Sequence, residues 1–261
     1  MPVNPPWLEE GASIAVVAAH PDDETLGFGG QLTTPLNVTF IYVTDGAPRN
    51  MIEARRFGFA DPRQYADARR KELGNALRLT PLREIRIREI GIPDQEAAFH
   101  IARIAECLSE HLGEIRPDLI LTHPFEGGHP DHDATAMAVQ LAAPVSPGIT
   151  PILEFTSYHL EGTNLVAGSF IDEQPNELSI RLTEQAYRIK QSMIECFTTQ
   201  SGFIRQLLRP TERFRSAPQY EFTRRPHAGP LFYETWDSGM TWDQWLDCIR
   251  VLTRSSRSAT E

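Results

Sequence analysis

Lysine is nearly absent from this chain. Only Lys71 and Lys190 occur, so 23 of the 25 basic residues are arginine. No spacing in the sequence requires this, and it reads as codon usage. A positive balance is absent too: 35 acidic residues against 25 basic ones leave a formal net charge of −10. That excludes the broad basic surface with which a nucleic-acid binder neutralises phosphates, but leaves room for a local basic pocket facing an anionic substrate. Cysteine is scarce. Cys107, Cys196 and Cys248 are odd in number, far apart and form no C-x-x-C pair. They exclude a disulfide framework, fit a reducing compartment and read as small buried apolar residues. No apolar run approaches the roughly 20 residues of a membrane helix. Met1 to Glu10 is Pro-rich and acidic, without the basic and apolar stretches of a secretory signal. A cytoplasmic location is the expectation. Repeats, low-complexity tracts and a clear linker are also missing.

What is present is a globular composition, with 41% hydrophobic and 23% charged residues in a chain of 261. The length suits one large α/β domain, although length alone also permits two. Ser13 to Ala19 and Asn37 to Thr44 are continuous apolar runs that read as parallel strands buried on both faces. A short helix is expected around Glu24 to Leu32, and a loop from Asp45 to Phe59. Asp61-Pro62 starts a helix that continues to Leu79. Glu84 to Ile90 alternates like a half-exposed strand. Ala97 to Ile115 keeps helical apolar spacing. Leu119 to Thr122 is the next buried strand, followed by a helix from His132 to Ala143 and a strand from Ile152 to Tyr158. Alternation of strand and helix implies a parallel, doubly wound sheet, which binds ligands beyond the carboxyl ends of its strands. After Glu161 the pattern weakens. Thr183 to Phe197 and Thr241 to Leu252 are helix candidates, and the span between them has no steady period.

Two clusters follow strand ends. The first strand runs into His20-Pro21-Asp22-Asp23-Glu24. An imidazole and carboxylates are ligands for a divalent ion such as zinc, and crowding carboxylates without a cation is unfavourable. Taken alone, the segment also reads as a solvated turn entering a helix, whose first turn favours acidic residues. The strand ending at Thr122 runs into His123, then Gly127-Gly128-His129-Pro130-Asp131-His132-Asp133. A second His-Pro-Asp step directly after a second apolar strand makes a metal site the better reading. Gly27-Phe28-Gly29-Gly30 lacks the full dinucleotide-binding spacing, and an acidic cluster precedes it where a pyrophosphate would sit.

His-Pro-Asp-Asp-Glu with a later His-Pro-Asp-His resembles the LmbE/PIG-L family of zinc-dependent N-deacetylases, from about Ser13 to at least Gln200. The resemblance implies an α/β fold, a Rossmann-like doubly wound, mainly parallel sheet with helices on both faces. It also implies a single domain over 1–261, in which 160–261 elaborates on and covers the site. It implies His20, Asp23 and His132 as metal ligands and Asp22 as general base. His129 would stabilise the transition state or deliver a proton, and Asp131 would back a ligand histidine. Arg69, in an Arg-x-x-Glu with Glu72, and Asp94 are implied to contact substrate. The cofactor is Zn2+, with another divalent metal such as Fe2+ as an alternative. Two family features are missing: Phe197 stands where a late His is usual, and Gly127 stands where some members place a Tyr.

The reaction implied is removal of an N-acetyl group from an N-acetylglucosamine-type amino sugar or glycoconjugate. The alternatives are an amidase acting on a thiol-sugar conjugate, a Rossmann-type cofactor enzyme such as a methyltransferase, and a non-catalytic sugar-binding protein. The expected partner is a small amino-sugar or glycoconjugate substrate, with no nucleic acid, no membrane span and a homo-oligomer left open. His227 reads as an exposed loop histidine, with a lid residue as the weaker alternative.

Overall fold

The structure, a computed structural model, describes residues 5–9, 11–143, 150–172, 176–236 and 239–258. The apolar runs Ser13–Ala18 (β1) and Asn37–Thr44 (β2) pair in parallel, joined through the short helix α1 (Asp23–Phe28). Between β2 and the next strand lie α2 (Ile52–Arg56) and α3 (Pro62–Leu77). The Asp61 side chain caps α3 by accepting from Gln64 N, with Pro62 in its first turn. β3 (Arg86–Ile92) alternates in exposure, as expected of a sheet edge. A 3₁₀ turn (Ala97–His100) leads into α4 (Ile101–Ile115), which buries Ile101, Ile104, Leu108 and Leu112 on one stripe. β4 (Leu119–Thr122) is wholly buried and leads to α5 (Pro130–Ala142).

The rest of the chain extends the same sheet. β5 (Ile152–Phe155) pairs with β4 in parallel, and β6 (Tyr158–Glu161) forms a separate hairpin with β7 (Asn164–Ala167). Then come β8 (Leu178–Arg181), α6 (Glu184–Cys196), α7 (Ser201–Leu207), β9 (Thr211–Ser216), a 3₁₀ turn (Phe232–Thr235) and α8 (Trp242–Ser258). The seven-stranded order is β3-β2-β1-β4-β5-β9-β8, with β9 and β8 antiparallel at one edge. The fold is therefore α/β and mainly parallel.

Side chains alternate across the sheet into two apolar layers. Ile14, Val16 and Ala18 join Phe28, Leu73, Met193 and Ile194 on one face. Ala15 and Val17 join Ile104, Leu108, Val139 and Trp245 on the other. The strand order turns at β1, which has β2 on one side and β4 on the other. The crevice at the carboxyl ends of β1 and β4 is the topological switch point, where open α/β sheets bind ligands. No helix among the described residues is long and apolar enough to cross a membrane.

Three expectations need correction. The span Asp45 to Phe59 is not all loop: α2 lies within it, with Ala54 buried. The expected strand from Ile152 to Tyr158 is two strands in different sheets. β8 and β9 come from the aperiodic C-terminal region yet join the central sheet.

Candidate metal centre and active site

His20 leaves the end of β1 buried, and its two ring nitrogens face different carboxylates. Nδ1 is 3.3 Å from Asp23 Oδ2. Nε2 is 3.1 Å from Asp131 Oδ2 and 3.2 Å from Asp94 Oδ1. His132 comes from the first turn of α5, and its Nε2 lies 3.2 Å from Asp23 Oδ1. Ser157 Oγ sits 3.1 Å from His132 Nδ1 and occupies the other side of that ring. Asp131 also accepts from the backbone N–H groups of Gln95 and Ala97, at 2.6 and 3.0 Å, and so is anchored to the loop after β3.

These residues fit a divalent ion. One ligand atom each from His20, Asp23 and His132 lie within 4.8 Å of one another. Ligand atoms about 2.0–2.1 Å from a tetrahedral zinc stand roughly 3.3 Å apart, and His20 Nδ1 and His132 Nε2 each lie near that distance from one oxygen of Asp23, 3.3 Å from Oδ2 and 3.2 Å from Oδ1. His132 Nε2 is buried and has no hydrogen-bond partner, a state a metal–nitrogen bond would resolve. A second group, His20, Asp94, His129 and Asp131, meets the same distance criterion and shares His20 with the first.

Asp22 occupies an unusual backbone position, with φ of 144°. Few residues other than glycine adopt this region, and holding one there costs about 1–3 kcal/mol. The turn is pinned at several points. Asp22 N donates to Glu24 Oε2 at 3.1 Å, and Asp22 O accepts from the N–H groups of Thr25 and Leu26. Arg69 Nη2 donates to Asp22 Oδ2 at 2.9 Å. Burial pushes the Asp22 carboxyl up to about 8, against the pull of Arg69. Burial acts the same way on Asp23, but the charges of His132 and His123 outweigh it and hold that carboxyl well below its usual range.

Arg69 is no solvated helix arginine. It is buried, and its guanidinium donates to Gly46 O at 2.7 Å, Pro21 O at 3.2 Å, Asp22 and Asp94. Gly46, at φ 65°, leaves room for this: a Cβ there would lie 2.8 Å from the guanidinium. Glu72, one turn along, accepts from the Thr198 hydroxyl and from Thr199 N and Oγ1. It thereby fixes the segment in which Phe197 replaces the expected histidine.

His129 caps α5, with its Nδ1 accepting from Asp131 N at 3.1 Å. In the neutral ring the proton therefore sits on Nε2. Burial, then the neighbouring charges of His20 and His132, drive His129 well below its ordinary value, so the neutral form prevails. His123 had no role assigned from sequence. It is fully buried, accepts from Ala19 N at 3.0 Å and stacks on His132 with ring centroids 4.0 Å apart. Ser157, Tyr158 and Trp236 also reach the cluster from the C-terminal half, where no sequence pattern marks them. His227 stands apart, lining a different cavity with Arg224 and Arg225.

His20, Asp22, Asp23, Arg69, Asp94, His129 and His132 all open onto one cavity of about 550 Å³. Residues 15–143, which hold both clusters, match the profile of the PIG-L family, described as GlcNAc-PI de-N-acetylase. This stretch is similar to a PIG-L domain. A Bacillus subtilis relative, "Probable N-acetyl-alpha-D-glucosaminyl L-malate deacetylase 2", is 32% identical over 133 residues. That alignment covers 48% of this chain and 58% of the relative, so the likeness spans little more than half of the relative's own length. Among solved structures, the A40926 pseudoaglycone deacetylase Dbv21 superposes with a TM-score of 0.59 at 20% identity, over 80% of this chain and 99% of that one. GalB, the 4-carboxy-2-hydroxymuconate hydratase of Pseudomonas putida KT2440, gives 0.52 at 16% identity, over 80% and 97%. Identities this low show the fold of the PIG-L-like domain and its extension, and two different reactions occur on that fold.

Proposed function

We propose that this chain is a metal-dependent hydrolase that removes the N-acetyl group from an N-acetylglucosamine-type glycoside. The observation that carries the reading is the closure of His20, Asp23 and His132 around one point, in the cavity that Asp22 and His129 also line. The PIG-L-like domain and its deacetylase relatives support the choice of amide as the bond cut. A divalent ion held by His20, Asp23 and His132 would polarise the amide carbonyl and lower the pKa of water toward about 7. Zn2+ suits this mixed imidazole and carboxylate set, and Fe2+ is the alternative.

The chain's own groups supply the proton traffic. Asp22, oriented by Arg69, takes the proton of the attacking water and returns it to the departing amine. Arg69 Nη2, 2.9 Å from Asp22 Oδ2, favours the carboxylate form that the first of these steps needs. His129 Nε2–H donates to the oxygen on which negative charge develops, and it needs no positive charge for this because its Nδ1 is already an acceptor. Asp131 orients His20 through Nε2, so that Nδ1 is the nitrogen left to the metal. Asp94 holds Arg69 and His20 while presenting an oxygen to the sugar hydroxyls. The whole chain acts as one domain, with 160–261 closing over the site.

The test is acetate release from a panel of N-acetylglucosaminides. Removal of metal with a chelator should abolish release, and Zn2+ or Fe2+ should restore it. Undiminished release by the chelated protein, or no release from any glycoside by the metal-loaded one, would contradict the reading.

A further inference from the structure

The cavity has two unlike halves. One is polar, made by the PIG-L-like domain: Asp22, Asp94, Gln95 and the histidines. The other, from residues beyond the match at 143, is mainly aromatic: Tyr158 on β6, Phe203 on α7, and Phe232 and Trp236 at the 3₁₀ turn, with Thr199, Gln200 and Gln206 among its polar groups. The aromatic half begins at the reacting centre itself. Tyr158 meets His132 edge-on with centroids 5.4 Å apart, and Trp236 lies 5.0 Å from His129. Phe203 and Phe232 are nearly parallel, 7° apart at 6.2 Å, and both stand edge-on to Tyr158. Phe203, Phe232 and Trp236 are half-buried, so ring surface remains facing the cavity.

This wall is poorly matched to a charged group. The arginines of the cavity are Arg56 and Arg69. Arg69 is committed to two carboxylates and two carbonyls, and Arg56 is exposed and 3.6 Å from Glu53. A carboxylate placed against the rings would lose its water without gaining a cation. Ring faces and edges instead suit another ring, by stacking and edge-to-face contact. A volume of about 550 Å³ falls within the range of pockets that bury most of a drug-sized ligand.

We propose that the aromatic half binds the aglycone, and that the natural substrate is an N-acetylglucosamine-type glycoside of an uncharged aromatic group. This rests on the deacetylase reading and adds the substrate's second half. The sugar lies against Asp94 and Arg69 with its acetamido group at the metal site, and the aglycone ring lies among Phe203, Phe232 and Trp236.

The test compares phenyl and methyl 2-acetamido-2-deoxyglucopyranosides of both anomers as substrates of the metal-loaded protein. Calorimetric binding of the corresponding free amines, which are not hydrolysed, provides a second readout. The phenyl compound of one anomer should be favoured by about tenfold or more in kcat/KM, carried by KM, and its amine should bind tighter by a similar factor. Phe203→Ala and Phe232→Ala should each shrink both ratios. Equal handling of phenyl and methyl glycosides, with acetate released from both, would overturn the aglycone assignment and leave the deacetylase reading intact. Faster cleavage of an N-benzoyl than an N-acetyl methyl glycoside would also overturn it, by assigning the rings to the acyl group. No acetate from any glycoside, with the phenyl amine still bound tenfold tighter, would sink the deacetylase reading and uphold the aromatic pocket.

Discussion

Asp22 and Asp23 are adjacent and chemically identical, yet their surroundings separate them. Asp23 faces His132 and His123 and stays ionised, whereas Asp22 faces Arg69 and is raised toward neutrality by burial. Two substitutions should therefore part company. Asp22→Asn should retain about one metal ion per chain while acetate release falls by about 10²–10⁴, and Asp23→Ala should lose the metal itself. Metal analysis beside a rate assay reads both, and near-normal turnover in Asp22→Asn would remove Asp22 as base. Gly128 is constrained by space: a Cβ there would lie 1.9 Å from the Tyr158 carbonyl oxygen. Gly128→Ala should cost about 3 kcal/mol in denaturant unfolding, and an unchanged midpoint would contradict that packing. The His-Pro-Asp residues were legible in the sequence because each cluster is contiguous and follows an apolar run. The burial of Arg69, the cap made by His129 and the contact of Ser157 with His132 were not, because each depends on a partner brought close only by folding.

Among the elements, β1, β2 and β4 could be read directly, since strands buried on both faces are continuous apolar runs. Helix α4 was equally plain from its spacing, and α3 from its Asp-Pro start. The antiparallel strands β8 and β9 were missed because their exposure varies along their length and charged residues interrupt them. The break between β5 and β6, at Thr156-Ser157, leaves no mark in hydropathy, yet it points Ser157 at His132. β6 is tied back to the loop after β4 by His159, whose ring nitrogens lie 3.4 Å from Glu126 and 3.6 Å from Glu161. Burial alone would lower the His159 pKa, but Glu126 and then Glu161 raise it above 6.5. A raised folded value means that the stabilisation is complete below about pH 6.5 and is lost as pH climbs through the folded pKa. Melting temperature should therefore fall across that interval, and His159→Gln should flatten the decline. Parallel profiles for the two proteins would show that the tie contributes nothing.

For the molecule as a whole, the sheet and its two apolar layers form a scaffold whose switch point gathers residues from β1, β4 and the loop after β3, while the C-terminal half adds aromatic walls. The central claim is that His20, Asp23 and His132 hold one divalent ion. The overlapping group of His20, Asp94, His129 and Asp131 offers the rival position. Anomalous diffraction at the zinc edge, from crystals of the zinc-loaded protein, separates the two. The account predicts a single strong peak about 2.0–2.2 Å from His20 Nδ1, an Asp23 oxygen and His132 Nε2. A peak among Asp94, His129 and Asp131, or none in this crevice, would contradict it.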